Sequence, residues 1–210
     1  MNVLIVGSTG MVGSKVLEQC LYNKKINMVY VLNRRDSGVR HKKITEIVNT
    51  NFLDFSNIRL PKIDIVFYCV GVYQGSVSKD IFIEVTYKYI QSFVKSFKQR
   101  KIRFCLLSAQ GVNPNSLVLF AKWKGKAENI VSNGKFKETY FFRPGYIHPT
   151  NQPEKKSLFF YKLLYSIFPL VNLLFSGHCV ELKQLAKTIV NVGVNGSDKN
   201  ILENKDIRNS

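Results

Sequence analysis

The chain has 210 residues, the length of one domain with room for a small appended lobe. Apolar residues make up 45% and aromatics 12%, enough for a sizeable core and too much for a disordered chain, while 13 glycines and 6 prolines exclude collagen-like and low-complexity classes. The net charge of +17 is large for one domain, yet no interleaving of aromatic and basic residues accompanies it, so specific nucleic-acid binding is not expected.

The apolar run Val3-Leu4-Ile5-Val6 follows Met1 almost at once and ends at Gly7. This predicts a buried strand rather than a leader, and a cytoplasmic protein. Gly7-Ser8-Thr9-Gly10-Met11-Val12-Gly13 comes next, then a helix with Val12, Val16, Leu17, Cys20 and Leu21 on one face. Met28 to Leu32 is a second buried strand, ending in Asn33-Arg34-Arg35. Strand, glycine turn, helix and strand make a βαβ unit. The alternation continues with strands at 44–48 and 65–70, a helix at 83–97, a strand at 102–107, a helix at 117–131 and a strand at 139–142. Arg143-Pro144-Gly145 stops that last strand. The expected fold is α/β, a Rossmann-type doubly wound parallel sheet with helices on both faces. Residues 1–148 are its core and 149–210 mainly a small C-terminal substrate lobe. In that lobe Leu182, Leu185, Ala186, Ile189 and Val190 mark an amphipathic helix, and Ile201-Leu202 a short strand before a polar tail.

Cys20, Cys69, Cys105 and Cys179 form no C-x-x-C pair, and His41, His148 and His178 stand far apart. Neither a metal site nor a disulfide scaffold is expected; buried free thiols in a reducing compartment are.

A glycine turn between strand and helix suits a pyrophosphate, because the helix N-terminus offers unpaired N–H groups and partial positive charge. Gly7 permits the tight turn, Gly10 lets the backbone approach the phosphates and Gly13 lets the helix pack on the strand. Thr9 and Met11, between them, belong to the same cofactor-binding loop. The spacing is G-x-x-G-x-x-G, and its place after the first strand of a βαβ unit gives it force. An acidic residue past the second strand would bind the ribose hydroxyls of NAD. Here Asn33, Arg34 and Arg35 stand there and Asp36 follows late. Paired arginine donors suit a 2′-phosphate, so NADP(H) is favoured over NAD(H).

With these features the chain resembles the atypical short-chain dehydrogenase/reductases, in the NAD(P)H-binding group that includes the Tat-interacting oxidoreductase-like proteins. The resemblance takes in Asn51-Phe52-Leu53-Asp54, Asp64 to Gly71, Leu106-Leu107-Ser108-Ala109-Gln110-Gly111 and Phe142-Arg143-Pro144-Gly145. It implies that Asp54 lies beside the adenine and Gly71 beside the cofactor. It also implies carbonyl reduction by a Ser, Tyr and Lys set, the last two spaced Tyr-x-x-x-Lys on a helix. Ser108 would hold the carbonyl oxygen, and Lys124 would hold the nicotinamide ribose and lower the phenol pKa. The tyrosine position holds Phe120, which has no proton to give.

Three readings follow. Another group serves as the acid, with Tyr73, Tyr146 and His148 on plausible loops. The hydride acceptor is a flavin or quinone-like molecule that takes its proton from water. Or the protein binds NADP(H) without turnover and senses or regulates. The apolar run 158–175 reads as a buried helix over the substrate cleft or a dimer contact. An interfacial helix touching a membrane surface is the middle option and a membrane span the remotest.

Overall fold

The computed structural model describes residues 1–148 and 179–210. β1 (Asn2–Val6) runs into α1 (Met11–Tyr22), which returns the chain to β2 (Met28–Asn33) and then β3 (Ile44–Val48). β4 (Ile65–Tyr68) follows a loop. It stops two residues before the expected end, with a last backbone bond from the Cys69 N–H to Val6 O at 2.9 Å. The next helical stretch begins earlier than its apolar spacing indicates, because Ser78 caps it by accepting the N–H of Ile81. It comprises α2 (Lys79–Ile83), a π-helical turn (Glu84–Lys88) and α3 (Tyr89–Ser96), the wide turn closing where Tyr89 N–H reaches back to Glu84 O.

β5 (Arg103–Leu107), α4 (Leu119–Ser132) and β6 (Glu138–Arg143) complete the second half. β7 (Tyr146–His148) pairs in parallel with β8 (Cys179–Glu181) in a separate two-stranded sheet. α5 (Leu182–Asn195), β9 (Ile201–Glu203) and α6 (Asn204–Arg208) end the chain. The main sheet has seven strands in the order β3-β2-β1-β4-β5-β6-β9, every pair parallel. Through β6 this is the doubly wound order, with its switch point between β1 and β4.

Alternation along each strand divides the core in two. Val3, Ile5, Val29, Val31 and Phe67 face α1 and α5, whose Val16, Leu17, Leu185 and Ile189 bury against them. Leu4, Val6, Val66, Tyr68 and Phe104 face the other way, onto Ile90, Phe93, Phe97 and Val131. Both faces are covered, so the strands read as unbroken apolar runs. Residues 182–203 contribute to these same layers, α5 packing on α1 and β9 extending the sheet beyond β6. The polar tail is helical rather than extended. Glu203 and Asp206 form a capping box, and Ile207 is buried. Residues 149–178, including the run 158–175 and His178, lie outside the described residues. All four cysteines are buried and free.

Candidate functional site

The turn after β1 is shaped by two backbone approaches. Gly7 sits at φ +87°, and a Cβ there would meet Val70 Cγ2 at 2.9 Å. A Cβ on Gly13 would lie 2.1 Å from the carbonyl oxygen of Gly7, so α1 can close onto the turn only through a glycine. Gly10, the N-cap of α1, is different: a Cβ there has only ordinary contact, 3.5 Å from the same oxygen. Thr9, Gly10 and Met11 are exposed. α1 has no capping side chain and no acid in its first turn, so its N–H groups and positive dipole end stay available to an anion.

The end of β2 locks this turn. Asn33, 1% exposed, accepts the Ser8 N–H at 2.8 Å and donates to Glu46 Oε1 at 2.9 Å. Glu46 is held in turn by the Ser37 hydroxyl at 2.6 Å. Asn33 is therefore consumed in positioning the loop. Asp36 is also committed: both its oxygens take Arg40 guanidinium donors, at 2.9 and 2.8 Å, and this pairing lowers its carboxyl to about 2. Arg34 and Arg35 are exposed and have no carboxylate partner among the described residues. The Arg34 guanidinium lies 6.0 Å from the centre of the Tyr89 ring. Asp54 is exposed, its carboxylate accepting the Ser56 N–H at 2.8 Å, which lowers its pKa. Gly71 is exposed too, with open space where a side chain would be.

Ser108 ends β5 on the same edge of the sheet. Its hydroxyl donates to Glu128 Oε1 at 2.5 Å. Glu128 is buried and takes a forked pair from Arg143, at 3.0 and 2.6 Å, and Arg143 also reaches Glu203 at 3.0 Å. The carboxylates hold the Arg143 guanidinium well above its ordinary pKa. Phe120, Lys124 and Glu128 are spaced one helical turn apart on α4. The Lys124 ammonium lies 6.0 Å from the Phe120 ring centre, and burial pushes it down to about 8 against the opposing pull of Glu128. Lys124 and Ser108 line one small cavity with Gly71, Tyr68 and Thr86.

The family described as semialdehyde dehydrogenase, NAD binding domain, matches residues 2–91. Protein HTATIP2 of Rattus norvegicus is 25% identical over 217 residues, covering 98% of this chain and 87% of that one. The mitochondrial protein FMP52 of Debaryomyces hansenii is 27% identical over 150 residues, covering 69% of this chain and 66% of the relative. Among solved structures, UDP-glucuronic acid 4-epimerase from Bacillus cereus in complex with NAD has a TM-score of 0.69 at 13% identity, covering 97% of this chain and 78% of that one. A short-chain dehydrogenase/reductase superfamily protein from Agrobacterium tumefaciens with bound NAD gives 0.63 at 16%, covering 91% and 73%. The chain has a Rossmann-type dinucleotide-binding fold and is similar to the atypical short-chain dehydrogenase/reductases.

The glycine turn fits a dinucleotide: the cradle is closed to side chains at Gly7 and Gly13, and the helix behind it is uncapped. Gly7, Gly10 and Gly13 come together with Thr9 and Met11 at one turn, and Ser108, Lys124 and Gly71 at one cavity. Tyr73 is 80% exposed with its ring against Gly75, and Tyr146 and His148 sit on β7. None of the three is among the described residues that line the cavity of Ser108 and Lys124. Sequence reasoning missed Glu128, Glu46, Tyr68 and Thr86. Glu128 carried a signal, its four-residue spacing from Lys124. The other three are brought in only by strand pairing and the π-helical turn.

Proposed function

We propose that the protein binds NADP(H) in preference to NAD(H) and acts as an oxidoreductase on a small carbonyl, flavin or quinone-like compound. The observation that carries the cofactor choice is at the end of β2: Asn33 and Asp36 are both engaged, while Arg34 and Arg35 are exposed with no carboxylate partner among the described residues. Charge-assisted, forked donors of that kind suit a 2′-phosphate. In this reading Gly7, Thr9, Gly10, Met11 and Gly13 cradle the pyrophosphate, Asp54 lies toward the adenine, and Gly71 and Lys124 meet the nicotinamide half. The bound dinucleotide supplies hydride. The four buried free thiols suit a reducing compartment such as the cytoplasm. NADPH consumption with a panel of aldehydes, ketones and quinones tests the reading. Turnover of any member supports it, and binding without turnover of any supports the alternative.

That alternative is an idle, NADP(H)-sensing protein that contacts another protein or a membrane surface. Two observations favour it. Phe120 offers no proton, and the single Ser108 proton is spent on Glu128. Among the described residues no helix is long and apolar enough to cross a membrane.

A further inference from the structure

Two buried hydroxyls, Tyr68 Oη and Thr86 Oγ1, have no hydrogen-bond partner among the described residues. Leaving such groups dry costs about 1–3 kcal/mol each, so their shared location carries information. Tyr68 comes from β4 and Thr86 from the π-helical turn, and both line the cavity that Lys124 and Ser108 also line. The cavity has room for about one water. Lys124 itself has no hydrogen-bond or carboxylate partner among the described residues, and Glu128, the acid that acts on it, is filled by Ser108 and Arg143. Three residues, each with a polar group that has no partner among the described residues, thus line one water-sized space, beside the position where the helix lacks its phenol.

We propose that Lys124 is the proton donor of this site and that one water, held by the Tyr68 and Thr86 hydroxyls, reprotonates it. This rests on the oxidoreductase reading above. Ser108 cannot take the part, since its hydrogen points at Glu128 and it presents only lone pairs. With hydride supplied to the carbonyl or quinone by a bound reduced dinucleotide, which would be oxidised, the substrate oxygen would take its proton from Lys124. An N–H bond breaks and an O–H bond forms. The neutral amine then takes a proton from the cavity water, which is replenished from solvent. The titratable and charged groups around Lys124 are Glu128 on its own helix, Arg143 of β6 behind that carboxylate, and Tyr68 of β4. Burial lowers Lys124 to about 8, which leaves it mostly protonated at neutral pH yet far readier to release its proton than a surface lysine.

Competitive acetylation of the whole chain with acetic anhydride, read by peptide mass spectrometry across pH, measures the Lys124 titration without cofactor or turnover. The expected midpoint is near 8, moving lower in Thr86→Val, which removes a partner of the water that solvates the ammonium. Co-titration of Lys124 with the surface lysines overturns the proposal. In steady-state assays with the best acceptor of the panel, kcat is expected to fall as pH rises through the same midpoint. Lys124→Met should lose about 10²–10⁴ in kcat. Added ethylamine should restore part of it, a gain that a lysine serving only to hold the ribose would not give. A cooperative urea unfolding transition shows that the variant is folded. Wild-type turnover in Lys124→Met, or no rescue by the amine, overturns the proposal alone. NADPH binding with no turnover of any acceptor overturns the oxidoreductase reading, and the proposal with it.

Discussion

Ser108 and Glu128 share a 2.5 Å hydrogen bond across the end of β5 and the inner face of α4. The carboxylate is a stronger acceptor than any neutral carbonyl, so the serine O–H stays directed at Glu128. Arg143 compensates the buried charge and Glu203 ties the pair to the start of α6. Ser108 is thus built into a structural ion network.

Glu128→Ala should be strongly destabilising, because it strands Arg143 and the Ser108 hydroxyl together. The expected loss is roughly 2–4 kcal/mol, somewhat under the usual cost of breaking a buried pair because Arg143 keeps Glu203. Glu128→Gln retains hydrogen bonds and should lose less. Urea unfolding of both variants measures the difference, and equal midpoints for wild type and Glu128→Ala would contradict the network's role.

Phe120→Tyr should raise carbonyl reduction. Residues 120 and 124 are one turn apart, and the Lys124 ammonium already lies over the Phe120 ring. A phenol there would meet a cation that lowers its pKa. NADPH consumption with the aldehyde and ketone panel is the readout. No gain on any substrate would favour the sensing role.

The glycines should separate by function. Gly13→Ala places a Cβ against the Gly7 carbonyl and should cost roughly 1–3 kcal/mol or more, with loss of cofactor binding. The sequence alone suggests that Gly13→Val would spare the fold; the 2.1 Å approach argues that it would not. Gly10→Val should leave stability within about 1 kcal/mol while weakening the cofactor, since a Cβ there meets only the Gly7 carbonyl oxygen, at an ordinary 3.5 Å. Thermal unfolding and NADPH titration on the same samples separate the two effects.

Lys124 should also appear in the pH dependence of stability. Its folded value, about 8, lies below the ordinary 10.5. Between the two, the unfolded chain holds more protons, so this group makes stability rise with pH across that window. Below about 8 both states are protonated and the burial penalty is constant. Lys124→Met should remove the rise. Urea midpoints at the two ends of the window, compared between wild type and variant, test it.

The strands were legible because both faces of the sheet are covered, so Val3–Val6 and Met28–Leu32 stand out as apolar runs bounded by glycine or charge. The glycine turn was legible for the same reason: it punctuates the first of them. The parallel pairing of β7 with β8 was not, since Tyr146–His148 and Cys179–Glu181 are each three residues long and far apart in sequence. The π-helical turn escaped because its apolar spacing matches an ordinary helix, and with it went the position of Thr86. Asn33 read as the mere absence of an acid; only the packing of Ser8 and Glu46 around it shows that it fastens the loop.

Arg34 and Arg35 carry the cofactor assignment, and a calorimetric titration of NADPH and NADH against wild type and the Arg34→Ala, Arg35→Ala double variant tests it most directly. NADPH should bind wild type about 10–100-fold more tightly than NADH, the range expected from charge-assisted hydrogen bonds to one phosphate, and the double variant should lose that preference with little change for NADH. Equal affinity of wild type for the two dinucleotides, or an unchanged ratio in the double variant, would contradict the assignment.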